Sequence, residues 1–243
     1  MTLALRKHQS TCRTSMNKTT AVSLNATIPF LILFLSLCGS QVFSIQATFS
    51  GADEGGPPWE SLFDGKTLRN WKVTNFGGEG EVSIENGEII LGIGNDLTGI
   101  CWTGPLPRIN YEVRLLARRL SGHDFFCGLT FPVGRSPCTL IVGGWGGGVV
   151  GLSSVDGLDA SENETGIMKI FKDNQWYAIR LRVTDQKIAA WIDQEKVVDL
   201  ETKNRKFSIR SEVSPSQPFG IATWRTKAAL RDIQRRVLAE SER

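Results

Sequence analysis

Histidine is scarce in this chain, so few residues are available for acid–base chemistry. Only His8 and His123 occur among 243 residues, and Asp124 follows His123 directly. A neighbouring carboxylate can raise the basicity of an imidazole and fix its tautomer, so His123 and Asp124 are candidate catalytic residues. The alternative is a solvated turn. The scarcity of histidine also excludes an all-histidine metal site and an HExxH zinc site.

An acidic segment, residues 156–165, carries four carboxylates within ten positions. Such a segment could supply a base, acceptors for ligand hydroxyls or a Ca²⁺ loop, although its spacing is not that of an EF-hand. A solvated surface loop is the plain alternative. Because loops carry function more often than frameworks do, Glu162 is a candidate catalytic residue, and Asp156 and Glu164 are candidate ligand-binding residues.

Tryptophan supplies candidate ligand contacts, since its ring combines a large apolar face with a polar edge. All seven Trp follow residue 58. Trp145 lies within the Gly-rich stretch 143–148, which lacks the GK[ST] of a P-loop. The stretch either lets Trp145 reach over a groove or forms a β-bulge or tight turn. We expect Trp145 and Trp224 to face a ligand and Trp71 to lie in the core.

Arginine supplies candidate partners for a ligand oxygen. Arg180 and Arg225 could hold a carboxylate, ketone or enolate oxygen through their planar guanidinium groups, and Arg225 is a candidate catalytic residue in that role. The alternative for Arg180 is a wet sheet face with weak Arg–Glu pairs.

Short strands must position these residues, because apolar or alternating runs recur about every ten residues between Gly, Asn and Asp turns. Asn86-Gly87 strongly indicates a two-residue hairpin, and Asp193-Gln194 a second tight turn. Predicted strands cover residues 71–75, 82–85, 88–92, 99–103, 110–119, 125–131, 139–143, 149–153, 167–171, 176–183, 187–192, 195–199 and 219–223. Residues 228–238 fit either a helix or a final strand.

Side-chain alternation predicts the class of fold. In residues 176–183, four apolar side chains share one face, whereas Trp176, Arg180 and Arg182 share the other. That period of two is typical of a half-buried antiparallel sheet. Many short strands without long helices predict an all-β protein, a two-sheet antiparallel sandwich or jelly roll.

The N-terminal region resembles an export signal. Residues 1–18 are polar and basic, residues 28–38 are apolar, and small residues follow. We expect an exported, periplasmic or extracellular protein that starts at Met1 or Met16. The alternative is an uncleaved leader that serves as a membrane anchor. It is less favoured because a membrane span needs about 20 apolar residues, more than this apolar run contains. The predicted organisation is a leader (1–47), a Gly/Pro-rich linker (48–58), a β-sandwich domain (59–238) and a tail (239–243).

The net charge of +3 comes from the leader. Its four basic residues precede the first acid, Asp53, and the rest of the chain has 24 basic and 25 acidic residues. A near-neutral domain does not support nucleic-acid binding. Three cysteines follow the leader, Cys101, Cys127 and Cys138, which allows one disulfide and one thiol or three buried thiols. No CxxC pair supports structural zinc, and no motif specifies a cofactor.

Several short motifs occur in a defined order along residues 59–238. They are SLFDGKTL at 61–68 with Trp71, ENG at 85–87, YEVRL at 111–115, WY, WID and VVD within 176–199, and FGI at 219–221. In order and spacing they resemble the DUF1080 family of 3-keto-disaccharide hydrolases, also described as 3-keto-glucoside lyase/hydratases. The resemblance implies a concanavalin A-like fold with ligand on a curved sheet, a carbohydrate partner and an exported protein.

The resemblance also implies a reaction. A ketone at C3 of a sugar acidifies the C2 proton, so a base must remove it and a cation or donor must stabilise the enolate before C1 eliminates and water adds. His123 or an acidic-loop residue would be the base, and Arg225 or Arg180 would hold the oxyanion.

Two departures from the family motif favour a different function. Thr139-Leu140-Ile141-Val142 stands where the family has E-[YVI]-Q-I, and residues 222–225 replace a Gln-Asp-His segment. The lost polar groups favour a non-catalytic, lectin-like carbohydrate-binding module. The remaining alternative is a structural surface protein that binds another protein.

Overall fold

The computed structural model describes residues 56–243, which form fifteen strands and two short 3₁₀ helices. The strands are β1 (Glu60–Ser61), β2 (Trp71–Val73), β3 (Val82–Glu85), β4 (Glu88–Leu91), β5 (Leu97–Trp102), β6 (Tyr111–Ser121), β7 (Cys127–Val133), β8 (Ser136–Gly144), β9 (Val149–Ser153), β10 (Ile167–Met168), β11 (Tyr177–Val183), β12 (Lys187–Ile192), β13 (Glu195–Glu201), β14 (Gly220–Trp224) and β15 (Lys227–Val237). The 3₁₀ helices are Ser211–Ser216 and Glu240–Glu242. No helix among these residues is long and apolar enough to cross a membrane. The leader and most of the predicted linker lie outside the described residues.

Two antiparallel sheets confirm the predicted all-β sandwich. The eight-stranded sheet has the order β13-β12-β11-β6-β15-β4-β3, with β1 paired to β15. The seven-stranded sheet has the order β10-β9-β8-β7-β14-β5-β2. Neighbours in the sheets are often distant in sequence, since β11 pairs with β6 and β14 pairs with both β5 and β7. The fold is therefore built from long-range strand pairs, as in jelly rolls.

The core lies between the two sheets and follows the period of two. Along β11, Ile179 and Leu181 are fully buried and Arg180 between them faces outward. Trp71 packs against Trp102 with ring centroids 5.1 Å apart, so its predicted core position is confirmed. Burying each large aliphatic or aromatic side chain contributes about 1.5–3 kcal/mol. The buried Tyr111 hydroxyl donates to the carbonyl oxygen of Pro132 across the core at 2.7 Å.

The three cysteines after the leader are buried free thiols, the second alternative that the sequence left open. Burial raises the pKa of the Cys127 and Cys138 thiols to about 12. These thiols act as small apolar core groups.

Residues 227–237 form a strand that pairs with β6, which resolves the ambiguity between helix and strand. The pairing shifts by one residue between Arg231 and Gln234, and Asp232 has a φ of 53° at this bulge. The extra residue changes the alternation, so Leu230 and Ile233 both face the core. The predicted Asn86-Gly87 turn is present, with both φ angles positive.

Cross-strand register places small residues along the outer face of the seven-stranded sheet. One row joins Gly151, Ile141, Gly128, Ala222 and Gly99. The adjacent row joins Ser153, Thr139, Thr130, Gly220 and Cys101 in the same way. Because most of these side chains are short, the outer face has a shallow floor on which other segments can lie.

Residues 206–216, here called the covering segment, lie on this outer face. At one side, Ser154 and Ser208 exchange backbone hydrogen bonds at 2.7 and 3.2 Å. At the other side, the 3₁₀ helix Ser211–Ser216 packs on β5 and β14. Thr130 and Thr139 in the row beneath are 1% exposed. The covering segment therefore covers part of the outer face of this sheet.

Candidate functional site

A pocket of about 240 Å³ remains open on the outer face of the seven-stranded sheet, between the covering segment and the turn between β8 and β9. Its apolar lining consists of Phe125, Ile141, Trp145, Val213 and Trp224. Trp145 is the most exposed of these, at 43%. The pocket thus offers aromatic faces to a ligand at a position where the sheet itself has small side chains.

Glycine at the floor determines how the aromatic wall lies. A Cβ on Gly128 would come within 2.9 Å of the Phe125 ring. The ring therefore lies against the strand, and the centroids of Phe125 and Trp224 are 6.5 Å apart. A side chain at position 128 would therefore require the ring to shift.

The polar lining combines the hydroxyls of Thr139 and Ser153 with three charged groups, Asp124, Arg210 and Glu212. Thr139 hydrogen-bonds to Thr130 at 3.0 Å, and the Ser153 hydroxyl donates to Asp159 at 3.0 Å. The charged groups come from two segments: Asp124 lies in the β6–β7 connection, and Arg210 and Glu212 belong to the covering segment. Hydroxyls and charges around an apolar centre are typical of sites for polar small molecules.

Asp124 is fixed by backbone N–H groups. Its Oδ1 accepts the N–H of Phe125 at 2.7 Å, and its Oδ2 accepts the N–H of Gly146 at 3.1 Å. The second bond crosses to the turn that carries Trp145, whose φ is 48°. Asp124 therefore lines the pocket and also fastens the turn that forms one wall.

Arg210 is held on the covering segment by two carboxylates. Its Nη1 donates to Asp159 at 2.6 Å and its Nη2 donates to Glu212 at 2.8 Å. The hydrogen bond from Arg210, followed by the backbone N–H of Glu212 itself, holds the pKa of Glu212 below its ordinary value. The bonds to Glu212 and Asp159 raise the pKa of Arg210. Both groups are therefore charged at neutral pH.

Three of the predicted site residues, Asp124, Trp145 and Trp224, come together in this pocket. His123 and Arg225, which are adjacent in sequence to Asp124 and Trp224, do not line the pocket. His123 is exposed beside the turn, where its backbone carbonyl oxygen faces Gly147. Arg225 pairs with Asp96 at 2.6 Å and lies 5.6 Å from the centroid of the Trp224 ring.

The acidic segment lies beside the covering segment and outside the pocket lining. Asp156 accepts the N–H of Lys206 and a hydrogen bond from Arg205, which together lower its pKa. Glu164 also pairs with Arg205, and Glu162 is exposed. Only Asp159 of this segment connects to the pocket, through Arg210 and Ser153.

Arg180 lies on the other sheet, so the structure does not bring it together with Arg225. With Arg182 and Arg236 it surrounds the carboxylate of Glu112, which is fully buried. Burial by itself would raise the pKa of Glu112, but hydrogen bonds from Arg182 and Arg180 outweigh it and hold the pKa below its ordinary value. The Arg180 guanidinium also lies 4.7 Å from the centroid of the Trp191 ring. These contacts occupy Arg180 in a structural cluster.

Sequence reasoning missed Arg210 and Glu212. Neither belongs to a strand, and their place in the pocket depends on the path of the covering segment. The available signal was the pair of apolar residues Ile209 and Val213, which flank the polar stretch Arg-Ser-Glu and anchor it on the sheet. In the part of the chain that the structure describes, no three His, Cys, Asp or Glu side chains are grouped so that they could hold a metal ion.

The architecture, two antiparallel sheets with strand pairs distant in sequence, places the protein in the class of β-sandwich domains. Residues 58–236 match the family model described as the 3-keto-alpha-glucoside-1,2-lyase-like domain. Because that match covers most of the chain, the protein belongs to this family, and the predicted resemblance is confirmed. No curated protein matches the chain.

Solved structures support the fold at low sequence identity. A Bacillus subtilis protein with a galectin-like fold aligns with a TM-score of 0.51 and 10% identity, over 76% of this chain and 97% of that chain. The apo Crh5 transglycosylase aligns with a TM-score of 0.52 and 12% identity, over 76% and 85% of the two chains. At these identities the similarity shows a shared fold.

Proposed function

We propose that this protein binds a saccharide and that one sugar ring occupies the pocket beside Trp145 and Trp224. The observation that carries the proposal is the combination of aromatic walls with the hydroxyls and charges of Asp124, Ser153 and Arg210 in one pocket. Sugar rings have apolar C–H faces and polar edges, so they need both kinds of contact. Family membership supports a carbohydrate ligand.

The covering segment favours recognition of a chain end. The pocket volume of about 240 Å³ lies below the roughly 300–1,000 Å³ of sites for drug-sized ligands. Since the covering segment lies across the outer face of this sheet, a long polysaccharide has no continuous path across it. A terminal ring enters the pocket and the rest of the chain leaves past Trp145.

Several observations favour binding without turnover. The hydrogen bond from Arg210 lowers the pKa of Glu212, which makes that carboxylate a weak base. Asp124 already accepts two backbone N–H groups, and His123 lies outside the lining. Thr139 and Ile141 form part of the floor, in the segment where the family motif carries Glu and Gln.

The second candidate function is 3-keto-glycoside lyase and hydratase activity, which the family supports. Asp124 would remove the C2 proton, Arg210 would stabilise the enolate oxygen at C3, and the C1 leaving group would depart before water adds.

We also propose that the protein is exported, on the basis of its leader. N-terminal sequencing of secreted protein tests this, and an intact leader on a soluble cytosolic product would contradict it.

Glycan-array binding followed by calorimetry of the positive glycans tests the main proposal. The variants Trp145→Ala and Trp224→Ala should each weaken binding by about three- to tenfold, in line with aromatic contact energies. Trp191→Ala, on the eight-stranded sheet, is the matched control and should leave affinity unchanged. Absence of binding to any glycan would overturn the proposal.

Incubation with 3-keto-glucosides and 3-keto-trehalose separates the two functions. We expect no free sugar above the uncatalysed background. Release of sugar that is lost in Asp124→Asn would instead establish the lyase and hydratase function.

A further inference from the structure

The charge balance of the pocket carries an inference about the ligand, and this inference rests on the proposed saccharide binding. Asp124 and Glu212 contribute two carboxylates to the lining, and Asp159 lies directly behind Arg210. The cation among these groups, Arg210, already donates to both Asp159 and Glu212. The walls therefore carry an excess of negative charge.

Two neighbouring arginines are already paired with carboxylates. Arg225 is paired with Asp96, and Arg119 is paired with Asp173 at 2.6 Å. Each of these pairs is close to neutral seen from the pocket, and paired charges attract a third charge weakly.

We propose that the pocket selects a terminal sugar without negative charge and prefers an amino sugar with a free ammonium group over the corresponding uronic acid. An ammonium group near Asp124 or Glu212 gains a charge-assisted hydrogen bond. The carboxylate of a uronic acid is carried at C6 rather than at C2, but inside the same pocket it meets the negative charges of Asp124 and Glu212 and must compete with Asp159 and Glu212 for Arg210. The selection results from the excess of carboxylates around one occupied guanidinium.

Titration of the full chain with matched monosaccharides tests the proposal. The probes are the methyl glycosides of glucose, glucosamine and glucuronic acid, together with the corresponding galactose series, observed by ligand-detected NMR. We expect the amino sugar to bind about fivefold more tightly than the neutral sugar, and the uronic acid about fivefold more weakly. These factors correspond to unit charges about 4 Å apart in water, and 0.5 M NaCl should reduce both.

Two variants identify the groups responsible. Asp124→Asn and Glu212→Gln should each reduce the ratio of amino-sugar to uronic-acid affinity by about fivefold. Glu212→Gln is decisive, because Asp124→Asn also alters the Trp145 turn. Glu201→Gln, on the exposed edge strand β13 of the other sheet, is the matched control and should leave the ratio unchanged.

The outcomes separate the two proposals. If neither these sugars nor any glycan on the array binds, the proposed function fails, and this inference fails with it. If array glycans bind but no sugar of either series does, only this inference is overturned. If neutral sugars bind but uronic acids bind equally or more tightly, only the charge selection is overturned. An unchanged ratio in Glu212→Gln would likewise overturn it.

Discussion

The carboxylate of Asp124 accepts the backbone N–H of Gly146 at 3.1 Å, a contact between the β6–β7 connection and the tip of the β8–β9 turn. Trp145 precedes Gly146, so this hydrogen bond fixes the residue that forms the exposed wall of the pocket. Two backbone hydrogen bonds, from the N–H groups of Gly147 and Gly148 to the carbonyl oxygen of Gly144, also hold the turn. Gly143, Gly146 and Gly147 have positive φ angles that glycine adopts readily. Asp124 thus contributes a negative charge to the pocket and also fixes the turn that forms its exposed wall.

Replacement of Asp124 by Ala should loosen this turn. We expect the Gly146 amide to exchange its hydrogen at least about tenfold faster, because its acceptor is lost, and global stability to fall by ~1 kcal/mol. Hydrogen exchange monitored by NMR and urea unfolding measure the two effects. Asp96→Ala is the control, since it breaks the surface pair with Arg225 and leaves the turn intact. Unchanged exchange at Gly146 would show that the carboxylate does not hold the turn.

The architecture could be predicted from the sequence because local signals determine it. The alternation in residues 187–192 predicted β12 with its observed bounds. The Asn86-Gly87 turn predicted the β3–β4 hairpin, in which β4 ends at Leu91, one residue earlier than predicted. Residues 228–238 could not be assigned, because the apolar spacing fitted a helix and a strand equally. The bulge at Asp232 explains this, since it interrupts the period of two.

The candidate site was only partly predictable, because it depends on contacts between distant segments. Trp145 was predicted from the Gly-rich stretch around it, and Asp124 from its position next to His123. Arg210 reaches the pocket only because the covering segment crosses the sheet, and Arg180 leaves it because β11 pairs into the other sheet. Strand order cannot be deduced from alternation, so neither placement could be predicted from the residues.

Glu112 should make stability depend on acid pH. Its pKa in the folded protein lies below the ordinary value of 4.5, because hydrogen bonds from Arg182 and Arg180 outweigh burial. The ionised Glu112 carboxylate therefore stabilises the folded protein above about pH 4.5, and this stabilisation is lost as the pH falls through the pKa of the folded protein. Glu112→Gln should lower the free energy of unfolding at pH 7 by about 3–5 kcal/mol, since three arginines lose their buried partner.

Urea unfolding at several pH values measures this effect. Glu195→Gln removes an exposed pair with Lys169 and is the control, with an expected loss below about 1 kcal/mol. If Glu112→Gln kept the stability of the unmodified protein at neutral pH, the cluster would not be stabilising.

The buried thiols should make stability fall at alkaline pH. Cys127 and Cys138 have a pKa of about 12 in the folded protein, raised by burial from the ordinary value of 9.0. Their contribution to the free energy of unfolding is complete below about pH 9. It is lost as the pH rises toward 12, because only the unfolded chain releases the thiol protons between these pH values. A Cys127→Ala, Cys138→Ala double variant should show a shallower decline between pH 9 and 11. A slope equal to that of the unmodified protein would mean that these thiols do not cause the decline.

Alanine at position 128 should disturb the pocket from below. The new Cβ would lie within 2.9 Å of the Phe125 ring, which is tighter than a normal contact, so the ring must shift from its position in the pocket lining. We expect a loss of about 1–3 kcal/mol of stability from overpacking and weaker saccharide binding. The double variant Gly128→Ala, Phe125→Leu provides the matched test, because a smaller side chain makes room for the Cβ. It should recover stability relative to Gly128→Ala, whereas binding should stay weak because the aromatic wall is gone; full recovery of binding would show that Phe125 does not contact the ligand.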